Sequence, residues 1–351
     1  MLKVYHALFE SIASPEKLFT AFEEFRRGKR SRPDVQEFEA HLEERIFAMH
    51  RDLMAGTYKH GLYSAFTICD PKQRPIHKAT VRDRILHHAV FAALNPVFEP
   101  LFIAHSFSCR KDKGTHLGVD ALETMLRKVS RNGTGSCFTL KCDIRRFFAS
   151  VDQKILMQVL SRNISDDRVL CLLENIIGSF SSGYPALNSG KGIPIGNLTS
   201  QLLANVYLNE FDQFIKHTLR VKHYVRYTDD FVIVGDDETI LKNLLLPIRG
   251  LLQEQLRLDL HPHKVTIRKY SQGIDFLGYV LRPHHRVLRT VTKRRMFRKL
   301  HEKAVASYAG LFSKESAEQS LQSYLGVLSH ANAHRISQQL QNRYWLWMNN
   351  T

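Results

Sequence analysis

The stretch that decides the fold is His223-Tyr224-Val225-Arg226-Tyr227-Thr228-Asp229-Asp230-Phe231-Val232-Ile233-Val234-Gly235. Its flanks are β-branched and aromatic, the composition of strands. Two adjacent carboxylates interrupt them, so the simplest reading is a β-hairpin with an acidic tip. Adjacent aspartates repel each other, and neither favours a strand interior. The pair therefore belongs in a solvated turn, or beside a cation that neutralises it. Asp is a common turn residue, and an isolated pair would need no further explanation.

A second apolar run carries a third carboxylate: Cys137-Phe138-Thr139-Leu140-Lys141-Cys142-Asp143-Ile144-Arg145-Arg146-Phe147-Phe148. Asp143 stands at its end, just before the Phe-Phe pair. Three carboxylates at the ends of neighbouring strands can hold two divalent ions about 3.5–4 Å apart. Mg²⁺ favours a few carboxylates together with substrate phosphates over a closed protein cage. Ions so placed would activate an attacking 3′-hydroxyl and stabilise a leaving pyrophosphate, which is nucleotidyl transfer.

At these residues the chain resembles the reverse transcriptases. Tyr227-Thr228-Asp229-Asp230 is similar to their signature, and Asp143-Ile144-Arg145-Arg146-Phe147-Phe148 to the other metal-binding motif of that palm. The resemblance continues in order through Pro71-Lys72-Gln73-Arg74-Pro75-Ile76, Ser106-Phe107-Ser108-Cys109-Arg110, Gly192-Ile193-Pro194-Ile195-Gly196 and Phe276-Leu277-Gly278-Tyr279. It implies an α+β right-hand polymerase fold with fingers, palm and a helical thumb. The expected division is an N-terminal helical extension over 1–60, fingers and palm over 61–285, and the thumb over 286–351. The implied cofactor is a pair of Mg²⁺ ions, with Mn²⁺ able to substitute. Asp143, Asp229 and Asp230 would be catalytic, and the same three with Ile144 would form the metal site.

The remaining roles follow from the same resemblance. Lys72 and Arg74 match basic finger residues that reach the incoming triphosphate. Phe148 falls where the family places a bulky gate beneath the sugar, which would clash with a ribose 2′-hydroxyl; the alternative is that both phenylalanines are core. Lys264 matches a lysine that protonates pyrophosphate. Arg110 matches the basic residue of a template-contacting loop. Gly196, Gln201 and Tyr227 are expected near template and primer, and Phe276, Leu277 and Gly278 in the hairpin that grips the primer terminus.

Residues 192–208 narrow the class. Most reverse transcriptases carry Pro-Gln-Gly followed by Ser-Pro here, and their Gln binds the sugar 3′-hydroxyl. This chain has Ile195 in that place and Gln201 in place of the Pro. That version resembles the enzymes of diversity-generating retroelements. They copy a template-repeat RNA into cDNA with errors concentrated at template adenines, and the cDNA replaces a variable repeat in a target gene. The implied partners are that RNA, an RNA–DNA primer/template duplex, deoxynucleotides and a small basic accessory variability protein. Ile195 cannot hydrogen-bond the sugar, and losing one such contact costs on the order of 1–3 kcal/mol.

Composition agrees with this reading without selecting it. Fifty Lys and Arg against 34 Asp and Glu give 50 − 34 = +16, which suggests a polyanionic partner but fits a nuclease or a ribosomal protein equally. Five cysteines, none in a Cys-x-x-Cys pair, point to reduced thiols rather than a disulfide scaffold or zinc site. No apolar run approaches the length of a membrane span and no signal-peptide layout opens the chain, so a cytoplasmic protein without membrane partners is expected.

Along the chain, helices are expected before residue 60, and the basic run 26–32 is either a solvated loop or a place for RNA contact. A helix stopped by Pro96, one over Leu244–Leu256, and a thumb of helices near 293–309, 315–329 and 333–348, opened by the basic run 293–299, follow. Within the enzyme class, retron, defence-system or group II intron enzymes are the alternative; the chain leaves no segment after the thumb for an appended endonuclease, which weighs against the intron type. An inactive RNA-binding scaffold is the alternative outside it, disfavoured because clustered carboxylates without metal are costly.

Overall fold

A computed structural model describes residues 5, 7–70, 73–180, 190–311 and 313–349. Four helices come first: α1 (Glu10–Ala13), α2 (Pro15–Arg26), α3 (Pro33–Glu39) and α4 (Leu42–Met54). Ser14 caps α2 by accepting from the Lys17 N–H, with Pro15 at the first helical position, the expected start chemistry. A two-stranded hairpin, β1 (Ser64–Ile68) and β2 (Arg74–Lys78), precedes the helices α5 (Val81–Phe98) and α6 (Thr115–Val129). Pro96 does not stop α5. It lies in the last turn, the Glu99 N–H still reaches the Asn95 carbonyl, and Val97 and Phe98 are buried, so packing outweighs one lost donor.

The centre is a four-stranded antiparallel sheet with strand order β4-β5-β3-β6. Its strands are β3 (Phe138–Asp143), β4 (Tyr224–Tyr227), β5 (Asp230–Gly235) and β6 (Thr266–Lys269). Between β3 and β4 run α7 (Phe147–Ser150), α8 (Gln153–Ser161), α9 (Asp167–Gly178) and α10 (Leu198–Gln213). After β5 come α11 (Glu238–Asn243) and α12 (Leu245–Glu254). The single helix expected over 244–256 is thus a shorter one, broken from α11 at Leu244 and carrying Pro247 in its first turn.

Alternation along the strands sorts residues between two cores. Leu140, Cys142, Phe231 and Ile233 face the larger core, with α5, α8, α10 and α12. Val225, Val232 and Val234 face the other, shared with α6, a second sheet and the C-terminal helices. That second sheet is β7 (Ile274–Phe276), β8 (Tyr279–Arg282) and β9 (His285–Leu288), in that order. A bundle of α13 (Thr290–Tyr308), α14 (Lys314–Ser329) and α15 (His334–Asn349) closes the chain. Asp70, in the turn after β1, forms an ion pair with Lys299 of α13 and lies 3.9 Å from Arg295, so the hairpin tip touches that bundle. Among the described residues no helix is long and apolar enough to cross a membrane.

Candidate active site

Strand pairing brings the three aspartates together. Asp143 and Asp230 are direct cross-strand partners, and Tyr227 pairs with Asp230 across a two-residue loop, Thr228–Asp229. Thr228 takes a φ of 53°, unusual for a β-branched residue. Three bonds hold it there: its hydroxyl donates to Ser108 Oγ (2.6 Å), its carbonyl accepts from Arg226 (3.2 Å), and the neighbouring Asp229 carbonyl accepts from the Ile144 N–H (3.0 Å). Ile144 contributes only backbone, because its side chain is fully buried.

Under the loop lies a buried ionic network. The Arg226 guanidinium and the Asp212 carboxylate are both fully buried, with Nε–Oδ1 and Nη2–Oδ2 distances of 2.8 and 2.5 Å. The Tyr224 hydroxyl donates to the same carboxylate at 2.7 Å. Burial opposes the Arg226 charge, but Asp212 overrides it and holds the pKa above the usual arginine value. Asn205 joins Arg226 to the Ser108 carbonyl. Arg226 also exchanges backbone bonds with the 105–107 loop. The loop beside the aspartates is thereby fixed to α10 and to the hairpin.

Burial and mutual repulsion raise two of the three carboxyls. Burial pushes the Asp230 carboxyl up to about 6; Lys141 opposes this, and Asp143 and Asp229 add to it. Burial and then Asp143 raise Asp229 too, while Lys264 and Arg74 pull it down. Asp230 Oδ1 is buried with no hydrogen-bond partner. Such oxygens suit a hard divalent ion. Among the described residues no group of three His, Cys, Asp or Glu side chains is arranged to hold a metal ion.

The other expected residues fall as follows. Lys264 Nζ lies 2.7 Å from Asp143 Oδ2, and Arg74 opens β2 facing Asp229 closely enough to act on its charge. Lys72 lies outside the described residues. Phe148 is half-buried, edge-on to Phe147 at 5.3 Å, and its carbonyl accepts from the Ile193 N–H. The Ile195 carbonyl accepts from the His77 N–H of β2, which ties this loop to the β1–β2 hairpin. Gly196 takes a φ of 113°, and a Cβ there would stand 3.1 Å from Ile76. Gln201 lines an adjoining cavity of about 270 Å³ with Phe66, Lys78 and Arg84. The Tyr227 hydroxyl accepts from Thr115.

Leu277 and Gly278, both at positive φ, form the two-residue turn between Phe276 and Tyr279, the geometry of a type I′ hairpin. Arg110 departs from expectation. Its Nε and Nη2 bind Glu99, its Nη1 binds the Ile103 and Ser106 carbonyls, and its side chain is only 6% exposed. It braces its loop instead of offering charge to a template. Sequence reasoning passed over Arg226, Asp212 and Lys141. The signal was present in two of them, since a cation inside an apolar strand needs a partner.

An antiparallel sheet that carries three carboxylates to one end, with helices packed on both faces and a separate hairpin beside it, fits the palm of a nucleic-acid polymerase. Residues 61–281 match the family model described as Reverse transcriptase (RNA-dependent DNA polymerase). The chain belongs to the reverse transcriptase family. It is similar to Protein YkfC of Escherichia coli K12, 28% identical over 244 residues, which cover 60% of this chain and 63% of that protein. It is also similar to the group II intron-encoded protein LtrA of Lactococcus lactis subsp. cremoris, 21% identical over 349 residues, covering 80% of this chain and 57% of LtrA. A shorter match, 28% over 143 residues, is to Nuclear intron maturase 4, mitochondrial, of Arabidopsis thaliana, covering 39% of this chain and 17% of the maturase. The chain thus spans about three-fifths of the length of YkfC and LtrA.

Proposed function

We propose that this protein synthesises DNA on an RNA template by nucleotidyl transfer at Asp143, Asp229 and Asp230. The observation that carries this reading is the pairing of Asp143 with Asp230 beside the Asp229 loop. Two divalent cations, Mg²⁺ or Mn²⁺, supply charge stabilisation at the attacking and leaving oxygens when bound. Asp143, Asp229 and Asp230 would hold them. Arg74 and Lys264, both acting on the Asp229 charge, would meet the triphosphate, and Lys264 would give a proton to departing pyrophosphate. The hairpin at Phe276–Gly278 would hold the primer end.

Phe148 is the sugar gate in this reading. Its carbonyl bond to Ile193 joins it to the loop that bears Ile195. Phe148→Ala is expected to admit ribonucleotides by opening space beneath the 2′ position. The check is the ratio of ribo- to deoxynucleotide incorporation, and an unchanged ratio would make Phe148 core only.

Within the family, the Ile195 and Gln201 pattern supports a mutagenic enzyme of the diversity-generating class, acting on a template-repeat RNA with a basic accessory protein. The match to LtrA favours a second reading, a group II intron-type or retron-type enzyme. Mg²⁺-dependent primer extension on RNA tests the common core; no extension by the folded protein would leave an RNA-binding scaffold. Sequencing the cDNA made on an adenine-rich template separates the two finer readings. Errors concentrated opposite adenine, and reduced by Ile195→Gln, are expected for the first. Equal spectra from two equally folded proteins would remove Ile195 from the account.

A further inference from the structure

Lys141 stands where the family resemblance assigns nothing. On β3 it alternates with Leu140 and Cys142, which are buried in the larger core, so it shares a face with Asp143. Its cross-strand partner is Val232, which puts Asp230 on the diagonal. The ammonium lies 3.3 Å from Asp230 Oδ2, donates to the Asp275 carbonyl at 2.9 Å, and sits 5.9 Å from the Phe276 ring centre. Asp275 and Phe276 belong to β7, in a sheet that among the described residues shares no strand pairing with the central one.

Lys141 therefore adds a polar link, at the level of the aspartates, between two sheets that share an apolar core. The hairpin is anchored on its other side as well. Arg289, just before α13, forms an ion pair with the Asp275 carboxylate, and its N–H donates to the Gly278 carbonyl. With that anchor and the shared apolar core in place, the Lys141 bond is a direct polar link between the hairpin strand and a catalytic carboxylate. Lysine suits the task because one ammonium carries three donors and a charge: one donor serves the carboxylate and another the carbonyl.

We propose that Lys141 is a positioning residue that couples the primer-holding hairpin to Asp230 and tempers the affinity of the carboxylate cluster for divalent cations. This inference rests on the polymerase reading above. It makes two predictions of opposite sign. Removing the ammonium loosens the register of the primer end, which slows catalysis; a misplacement near 1 Å can cost about 10²-fold. It also leaves Asp230 without its nearest cation, so a divalent ion should bind more tightly. A merely structural lysine would not produce both effects.

The test compares Lys141→Met with Lys141→Arg. For the Met variant, the rate of single-nucleotide addition is expected to fall by about 10- to 100-fold, with KM for the nucleotide changed by no more than about twofold. Mn²⁺ binding to the free protein, titrated by electron paramagnetic resonance without primer or nucleotide, is expected to tighten. Lys141→Arg should restore most of the rate and return the affinity to that of the parent protein. A folded Met variant with parental rate, or with unchanged or weaker Mn²⁺ binding, would overturn the proposal. So would an Arg variant that restores neither. Should the Met protein fail to fold, Lys141→Gln replaces it, keeping a donor for the Asp275 carbonyl without the charge, and the same Mn²⁺ outcomes decide. Because that titration needs no polymerisation, it still reads Lys141 if the parent protein proves unable to extend a primer.

Discussion

Asp229→Asn is expected to lower the rate of nucleotide addition by about 10³-fold or more, the scale of losing a principal electrostatic contact to the transition state. The side chains are nearly isosteric, and the Asp229 carbonyl keeps its bond from the Ile144 N–H. What disappears is one of the charges that would hold the cations. The fold should not suffer. Burial, and then Asp143, raise the Asp229 carboxyl above its ordinary value. The folded state thus takes up this proton more readily than the unfolded chain, so the ionised carboxylate weakens the fold at neutral pH. That cost fades as pH falls through the carboxylate range. An amide escapes it, so the variant should melt at the parental temperature or above at pH 7, with the difference shrinking in acid. Parental polymerisation by the variant would remove Asp229 from the catalytic set.

The largest stability effect is expected beneath the loop. Asp212→Ala would leave the Arg226 guanidinium buried without its counter-ion and deprive the Tyr224 hydroxyl of its acceptor. Breaking such a pair from one side costs about 3–5 kcal/mol, against a typical total stability of roughly 5–15 kcal/mol. Urea denaturation should read this directly, and a change below about 1 kcal/mol would show that water reaches Arg226. Replacing both partners, Asp212→Leu with Arg226→Met, should recover much of the stability, since apolar pairs often substitute well for buried ions. Activity should not return with it. The Arg226 bond to the Thr228 carbonyl would still be missing, and the Asp229 loop would lose one of its three supports.

The acidic hairpin and the strand bearing Asp143 were legible in the sequence because strand composition and turn chemistry are local. The α+β fold class was legible because motifs followed one another in order. What escaped was set by distance in the chain. Arg226 meets Asp212 across 14 residues and Lys141 meets Asp275 across 134, and neither partner can be read from its own surroundings. Arg110 misled for the same reason: its segment looks like a free basic loop until Glu99 and two carbonyls consume the guanidinium. Pro96 misled in another way, since its local preference yields to the burial of the two residues after it.

The direct pairing of Asp143 with Asp230 makes the active centre depend on how many residues stand in each strand, as well as on which ones. Side chains change face at every step, so a one-residue slip exchanges the two faces. One residue inserted inside β3 would turn Lys141 and Asp143 into the apolar core and bring Leu140 and Cys142 out beside Asp230. One residue added at Thr134, in the exposed turn before the sheet, leaves every pair of the ladder in place. Across descendants of this sequence, changes of length should therefore gather in turns such as 131–136, while the count from Phe138 to Asp143 and from Tyr224 to Gly235 stays constant even as individual side chains drift.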